Sequence, residues 1–60
     1  MELPTFTPVE WRMLAGACEA LAERERERAE AIGGREARDY VISAEGYERL
    51  AERCMRLAKP

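Results

Sequence analysis

Cys18 and Cys54 are the residues best suited to redox or metal chemistry in this sequence of 60 residues. They lie 36 positions apart rather than in a C-x-x-C motif, and the sequence has no histidine. Because zinc sites use closely spaced Cys and His ligands, we expect no metal. The two thiols could form a disulfide or a redox pair. The simpler interpretation, in a reducing compartment, is two small buried hydrophobic residues.

The absence of histidine also limits catalysis. It removes imidazole general bases and His-dependent triads, and no other pattern assembles a nucleophile, a base and an orienting group. Helix-bundle metal sites built on carboxylates use Glu-x-x-His, which cannot occur here. We therefore predict a protein that is not an enzyme and that binds no cofactor.

Charged residues alternate in sign from Glu23 to Arg28. On a helix this alternation makes residues four apart alike in charge, so it sorts acidic and basic side chains into separate stripes. Stripes of opposite sign on a neighbouring helix could fix its orientation, either within one chain or between subunits. We favour this structural interpretation, combined with a solvated face. The alternative is a surface for a charged external partner.

Nucleic acid is a second candidate partner. The best basic patch consists of five arginines: Arg35, Arg38, Arg49, Arg53 and Arg56. Acidic residues interrupt it, no phosphate-binding glycine motif is present, and the net charge is −2 with a pI near 5.1. We therefore treat a small nucleic-acid-binding regulator as the alternative function.

The sequence FTPVEW predicts the start of a helix that would position these residues. Thr7 suits the N-cap, Pro8 the first helical position, and Glu10 the third, where it completes a capping box. Phe6 and Trp11 occupy the two positions of a hydrophobic staple. We predict helix 1 over about residues 8–32, ending at the glycine pair 33–34.

A second, weaker start signal lies at Ser43. Ser43 can cap a helix, and Ile42 and Tyr47 again hold the staple positions, although Gly46 leaves the capping box incomplete. We predict helix 2 over about residues 44–58 and a loop over about residues 33–43. Within that loop, residues 35–40 could add a helical turn and residues 40–42 could be extended.

The heptad pattern predicts which faces are buried. With Trp11 and Tyr47 at position a, alanine fills every complete e position of both helices. A wide a/d/e stripe is typical of a helix in a bundle. From this stripe we predict a core and self-association surface of seven residues: Trp11, Leu14, Cys18, Leu21, Leu50, Cys54 and Leu57. Pairing Leu14 with Leu57 and Leu21 with Leu50 would place the two cysteines in one layer.

The fold class that follows is all-α: one domain over residues 1–60, built as an antiparallel two-helix hairpin. A chain of this size buries only about 60% of the surface its unfolded form exposes, so we expect a second copy to complete the core. The result would be a homodimeric four-helix bundle. This architecture resembles that of Rop-type plasmid regulators, which are dimers of helical hairpins. The resemblance is architectural and extends to no residue motif.

These patterns also bear on location and function. No run of residues approaches the ~20 apolar residues of a membrane span, and the N-terminal MELPTF has neither a basic region nor a long apolar core. We expect a cytoplasmic protein without membrane contact. Its predicted partners are a second copy of itself and another protein, which it would serve as an adaptor, inhibitor or small subunit.

Overall fold

The computed structural model describes residues 5–59, which form two α-helices joined by a short turn: α1 (Pro8–Ile32) and α2 (Ala37–Leu57). Residues 1–4, on which part of the location prediction rests, and residue 60 lie outside the described residues. The described part contains no strand. The prediction of an all-helical hairpin is confirmed.

Helix α1 begins where the capping signals place it. The Thr7 hydroxyl accepts a hydrogen bond from the Glu10 N–H at 3.2 Å, and the Thr7 N–H donates to the Glu10 carboxylate at 2.9 Å. The bond from the Thr7 N–H to the carboxylate is the main cause of a lowered pKa of Glu10, since it favours the charged form. The Phe6 and Trp11 rings meet edge to face at 5.0 Å between centroids. The capping box and the staple are thus both formed.

Two glycines end α1 and turn the chain back. Gly33 has φ 66° and ψ 178°, a conformation in which a side chain would be strained, and Gly34 also has φ 66°. The Gly33 N–H donates to the Ala29 carbonyl at 2.9 Å and so satisfies one of the last carbonyls of the helix. The predicted end of helix 1 is confirmed.

Helix α2 begins at Ala37, seven residues before the predicted start at Ala44. The segment predicted as a loop is therefore mostly helical, and Ser43 lies inside the helix rather than at its N-cap. Glu36 holds the N-cap position without a side-chain hydrogen bond. The early start follows from packing. Ala37, Tyr40 and Val41 are half-buried, so extending the helix backwards adds contact with α1.

The two helices are antiparallel and meet along alanines. Cys18 of α1 lies beside Cys54 of α2, whereas Arg26 further along α1 bonds to Glu48 earlier in α2. Every buried residue of the described chain is an alanine at heptad position e, and we call this set the alanine seam: Ala15, Ala22 and Ala29 of α1, and Ala44, Ala51 and Ala58 of α2. Small side chains at these positions let the helix axes approach closely.

The predicted a/d/e stripe divides into two parts in this arrangement. The prediction grouped the four leucines, all at position d, in a core and self-association surface without separating contact within the hairpin from contact between copies. Within the hairpin the alanines at e make the contact between the helices, and the four leucines of the helices stay 36–52% exposed. Because the buried residues of the described chain are no larger than alanine, folding of a single hairpin removes little apolar surface from water.

Candidate self-association surface

Each leucine of the two helices directly precedes a residue of the alanine seam. Since one residue turns an α-helix by about 100°, each leucine lies on the flank of its helix rather than against the other helix. The helices are antiparallel, so both flanks open on the same side of the hairpin. We call this side the leucine face, and it consists of Leu14 and Leu21 of α1 with Leu50 and Leu57 of α2.

Residues at position a lie between the leucine face and the alanine seam. Trp11, Cys18, Tyr47 and Cys54 are all half-buried there. All seven residues predicted for the core and the self-association surface therefore lie on one side of the hairpin. Helical geometry groups them on that side, and the leucines among them are exposed.

Cys18 and Cys54 occupy the same layer, as the residue pairing predicts. Both are half-buried, and no disulfide joins them in this structure. Partial burial raises the pKa of the Cys18 thiol, and the neighbouring Cys54 thiol raises it further. Since the thiolate is the reactive form, a raised pKa leaves less of the Cys18 thiol ionised at neutral pH than in an ordinary cysteine.

Glycine leaves a gap at the edge of the leucine face. A notch of about 220 Å³ is lined by Ser43, Gly46, Tyr47 and Leu50. A Cβ atom built on Gly46 would meet no atom within 4 Å, so nothing in the hairpin requires glycine here. Glycine inside a helix costs about 1 kcal/mol relative to alanine. Sequence analysis treated Gly46 only as a missing part of a capping box and assigned it no role.

Charged residues occupy the opposite side of the alanine seam. Arg26 donates to Glu48 across the two helices, which joins α1 and α2 by an ion pair. A groove on this side is lined by Glu19, Glu48, Ala51, Glu52, Met55, Arg56 and Lys59. The hairpin thus has one apolar side and one charged side. Sequence analysis did not single out Arg26 for contact with α2.

Glu25 and Arg28 continue heptad positions a and d of α1 towards the turn. The Arg28 guanidinium lies 3.7 Å from the Glu25 carboxylate, and the Glu25 side chain is only 17% exposed. Their pairing within one helix neutralises this end of the leucine face.

The five arginines of the predicted basic patch are exposed and fall into two groups. Arg49, Arg53 and Arg56 form a continuous line along α2. Arg35 and Arg38 lie at the turn, about 16 Å from that line at 1.5 Å per residue. The structure does not bring the five side chains into a single patch.

Neither described helix is both long enough and apolar enough to cross a membrane. Residues 5–59 contain no group of three or more cysteine, aspartate and glutamate side chains placed to hold a metal ion. No family model, curated protein or solved structure matches the chain.

Proposed function

We propose that this protein is a non-enzymatic helical hairpin that pairs with a second copy through the leucine face and acts through protein–protein contacts. The pair would be a four-helix bundle, and its outer surface would engage a further protein as an adaptor, inhibitor or small subunit. We further propose a cytoplasmic location, where Cys18 and Cys54 would stay reduced.

The observation that carries this proposal is the large surface of the single hairpin. It exposes 5150 Å², whereas a folded monomer of 6.9 kDa exposes about 4000 Å² by the usual scaling of surface with mass. The excess is comparable to the roughly 800 Å² that each partner buries in a standard protein interface. Covering the leucine face would use that excess, because four leucines that are 36–52% exposed lie together on this side.

Burial within the hairpin supports the same conclusion. Leu50 and Leu57 are 48% and 52% exposed, although a leucine contributes roughly 1.5–3 kcal/mol when it is fully buried. Contiguous apolar patches on soluble proteins commonly mark interaction sites. A second leucine face supplies a surface of matching chemistry, and a two-fold pair is the commonest closed assembly.

Sedimentation velocity at micromolar concentrations tests self-association. We expect the wild type to sediment as a dimer and Leu50→Lys to sediment as a monomer, because lysine would place a charge in the apolar contact. The matched control is Met55→Lys: Met55 lies in the same helix and is 46% exposed, but it lines the charged groove on the other side. A wild type that stays folded and monomeric across this range would overturn the proposal.

Nucleic-acid binding is the second candidate, and one observation favours it. Arg49 and Arg56 lie at heptad position c on the outer side of α2, where a dimer formed through the leucine face would leave them accessible. An affinity for RNA or DNA that falls steeply with salt, and that is reduced in Arg49→Ala, would support it. The absence of any binding at low salt would exclude it.

A further inference from the structure

We propose that the two copies pair about a two-fold axis parallel to the helices, with both turns at the same end and α1 of each copy against α2 of the other. This inference rests on the self-association proposed above and specifies its geometry. Three features of the hairpin carry it: the levels of the leucines, the charges at the edge of the leucine face, and the gap above Gly46.

The levels of the leucines fit this axis without adjustment. Because Cys18 lies beside Cys54 and the helices are antiparallel, Leu14 lies at nearly the same height along the hairpin as Leu57, and Leu21 as Leu50. Rotation about a two-fold axis parallel to the helices does not change the height of a residue along that axis, so each residue of the second copy lies at the same height as in the first. Leu14 therefore meets Leu57 of the partner subunit, and Leu21 meets Leu50 of the partner subunit, so all eight leucines form two layers.

The residues that border the leucine face are also complementary in this arrangement. They occupy heptad position g: Ala17, Arg24 and Ala31 of α1, and Asp39, Gly46 and Arg53 of α2. When α1 lies against α2 of the other copy, Ala17 faces Arg53 of the partner subunit and Ala31 faces Asp39 of the partner subunit. Each contact pairs a small residue with a larger one, and no like charges meet.

The remaining contact of this border explains the notch. Arg24 faces Gly46 of the partner subunit, and the space above Gly46 is open in the single hairpin. A long side chain can lie over a glycine without displacing the helix that carries it. Nothing within the hairpin requires glycine at position 46. In the dimer its lack of a side chain would leave space for the aliphatic part of Arg24 of the partner subunit.

A two-fold axis perpendicular to the helices fits less well in either register. The turns would then lie at opposite ends, and α1 would lie against α1 of the other copy. If the leucines are aligned, Arg53 meets Arg53 of the partner subunit, and like charges placed opposite each other are destabilising. If the register is moved by one heptad to separate the arginines, Leu14 meets Arg28 of the partner subunit.

The distance between the two turns distinguishes these arrangements. We would attach a spin label at Arg35→Cys in a Cys18→Ala/Cys54→Ala background and measure the label-to-label distance in the dimer. With both turns at one end, we expect about 20–30 Å, which is the width of a four-helix bundle with labels. With the turns at opposite ends, residue 35 lies 17 residues from the centre of the leucine layers, which gives about 50 Å.

Each outcome has a definite meaning. A distance near 25 Å supports the parallel axis, whereas one near 50 Å overturns it and leaves self-association intact. A monomer in wild-type sedimentation overturns self-association and this geometry together. If the alanine background fails to pair although the wild type does, the same label in a Cys18→Val/Cys54→Val background decides between the two distances.

A second measurement tests the notch directly. Gly46→Gln places a long polar side chain where Arg24 of the partner subunit is expected, so the dimer should dissociate at least tenfold more readily. The matched control is Gly16→Gln, at an exposed and equally open site on α1 outside the leucine face. Equal dimer affinity for Gly46→Gln and Gly16→Gln would contradict the role assigned to Gly46.

Discussion

A single methyl group at each of six positions sets the distance between the two helices. Ala22 and Ala51 lie at the middle of the alanine seam and are 3% and 4% exposed. Any larger side chain there must push the helices apart or leave its rotamer minimum, because a packed interior has almost no spare volume. The alanines therefore determine the spacing, and the leucines beside them determine what the hairpin still has to bury.

Ala22→Leu should destabilise the protein by about 1–3 kcal/mol, as overpacking of a tight contact does. Urea unfolding monitored by circular dichroism measures the change. Ala20→Leu is the matched control, since Ala20 is an exposed position of the same helix and should change the stability little. Equal effects of the two substitutions would mean that the seam tolerates larger side chains and that alanine does not set the spacing.

At the scale of the helices, the sequence predicts α1 well and α2 only in part. The start of α1 depends on contacts within six residues, and its end depends on glycine backbone conformations, so local patterns are sufficient for both. The start of α2 has no local cap, and contact with α1 decides it instead. Ser43 resembled a cap because the sequence alone does not show that Ala37 and Tyr40 pack against α1.

For the candidate surface, too, the sequence predicts what depends on local spacing but not what depends on how the two helices pack. The heptad pattern groups Trp11, Leu14 and Leu21 on one side with their counterparts on α2. It could not rank position a, d or e as the contact between the helices, since that choice depends on how closely the two backbones approach. One pattern could have identified position e as the contact: alanine recurs at every seventh residue, and in α2 this repeat extends towards the N-terminus as far as Ala37.

Ser43→Ala should leave the stability unchanged or raise it slightly, because Ser43 lies inside α2 and alanine favours a helix more than serine does. Thr7→Ala is the informative comparison: it removes an N-cap hydrogen bond and should cost about 1 kcal/mol. Thermal unfolding of both variants measures the difference. A loss for Ser43→Ala as large as that for Thr7→Ala would place the start of α2 at residue 44 after all.

At the scale of the whole molecule, the hairpin is a single layer whose dimensions are 46 × 22 × 13 Å. A layer one helix thick has no interior of its own, which is why its buried residues are the small ones at the contact between the helices. Apolar side chains lie on one side and the ion pair of Arg26 with Glu48 lies on the other. Stability should therefore depend on an apolar contact that the single chain cannot make with itself.

The melting temperature should rise with protein concentration, because dissociation of a dimer is coupled to unfolding. A tenfold increase in concentration changes the free energy of association by about 1.4 kcal/mol, which corresponds to a shift of roughly 5 °C for a small protein. Circular dichroism melts from about ten to several hundred micromolar would show the shift in the wild type and in Met55→Lys. Leu50→Lys should melt at a lower temperature that does not change with concentration. If the wild type also melts independently of concentration, the leucine face contributes nothing to stability through a second copy, and the single hairpin is the stable unit.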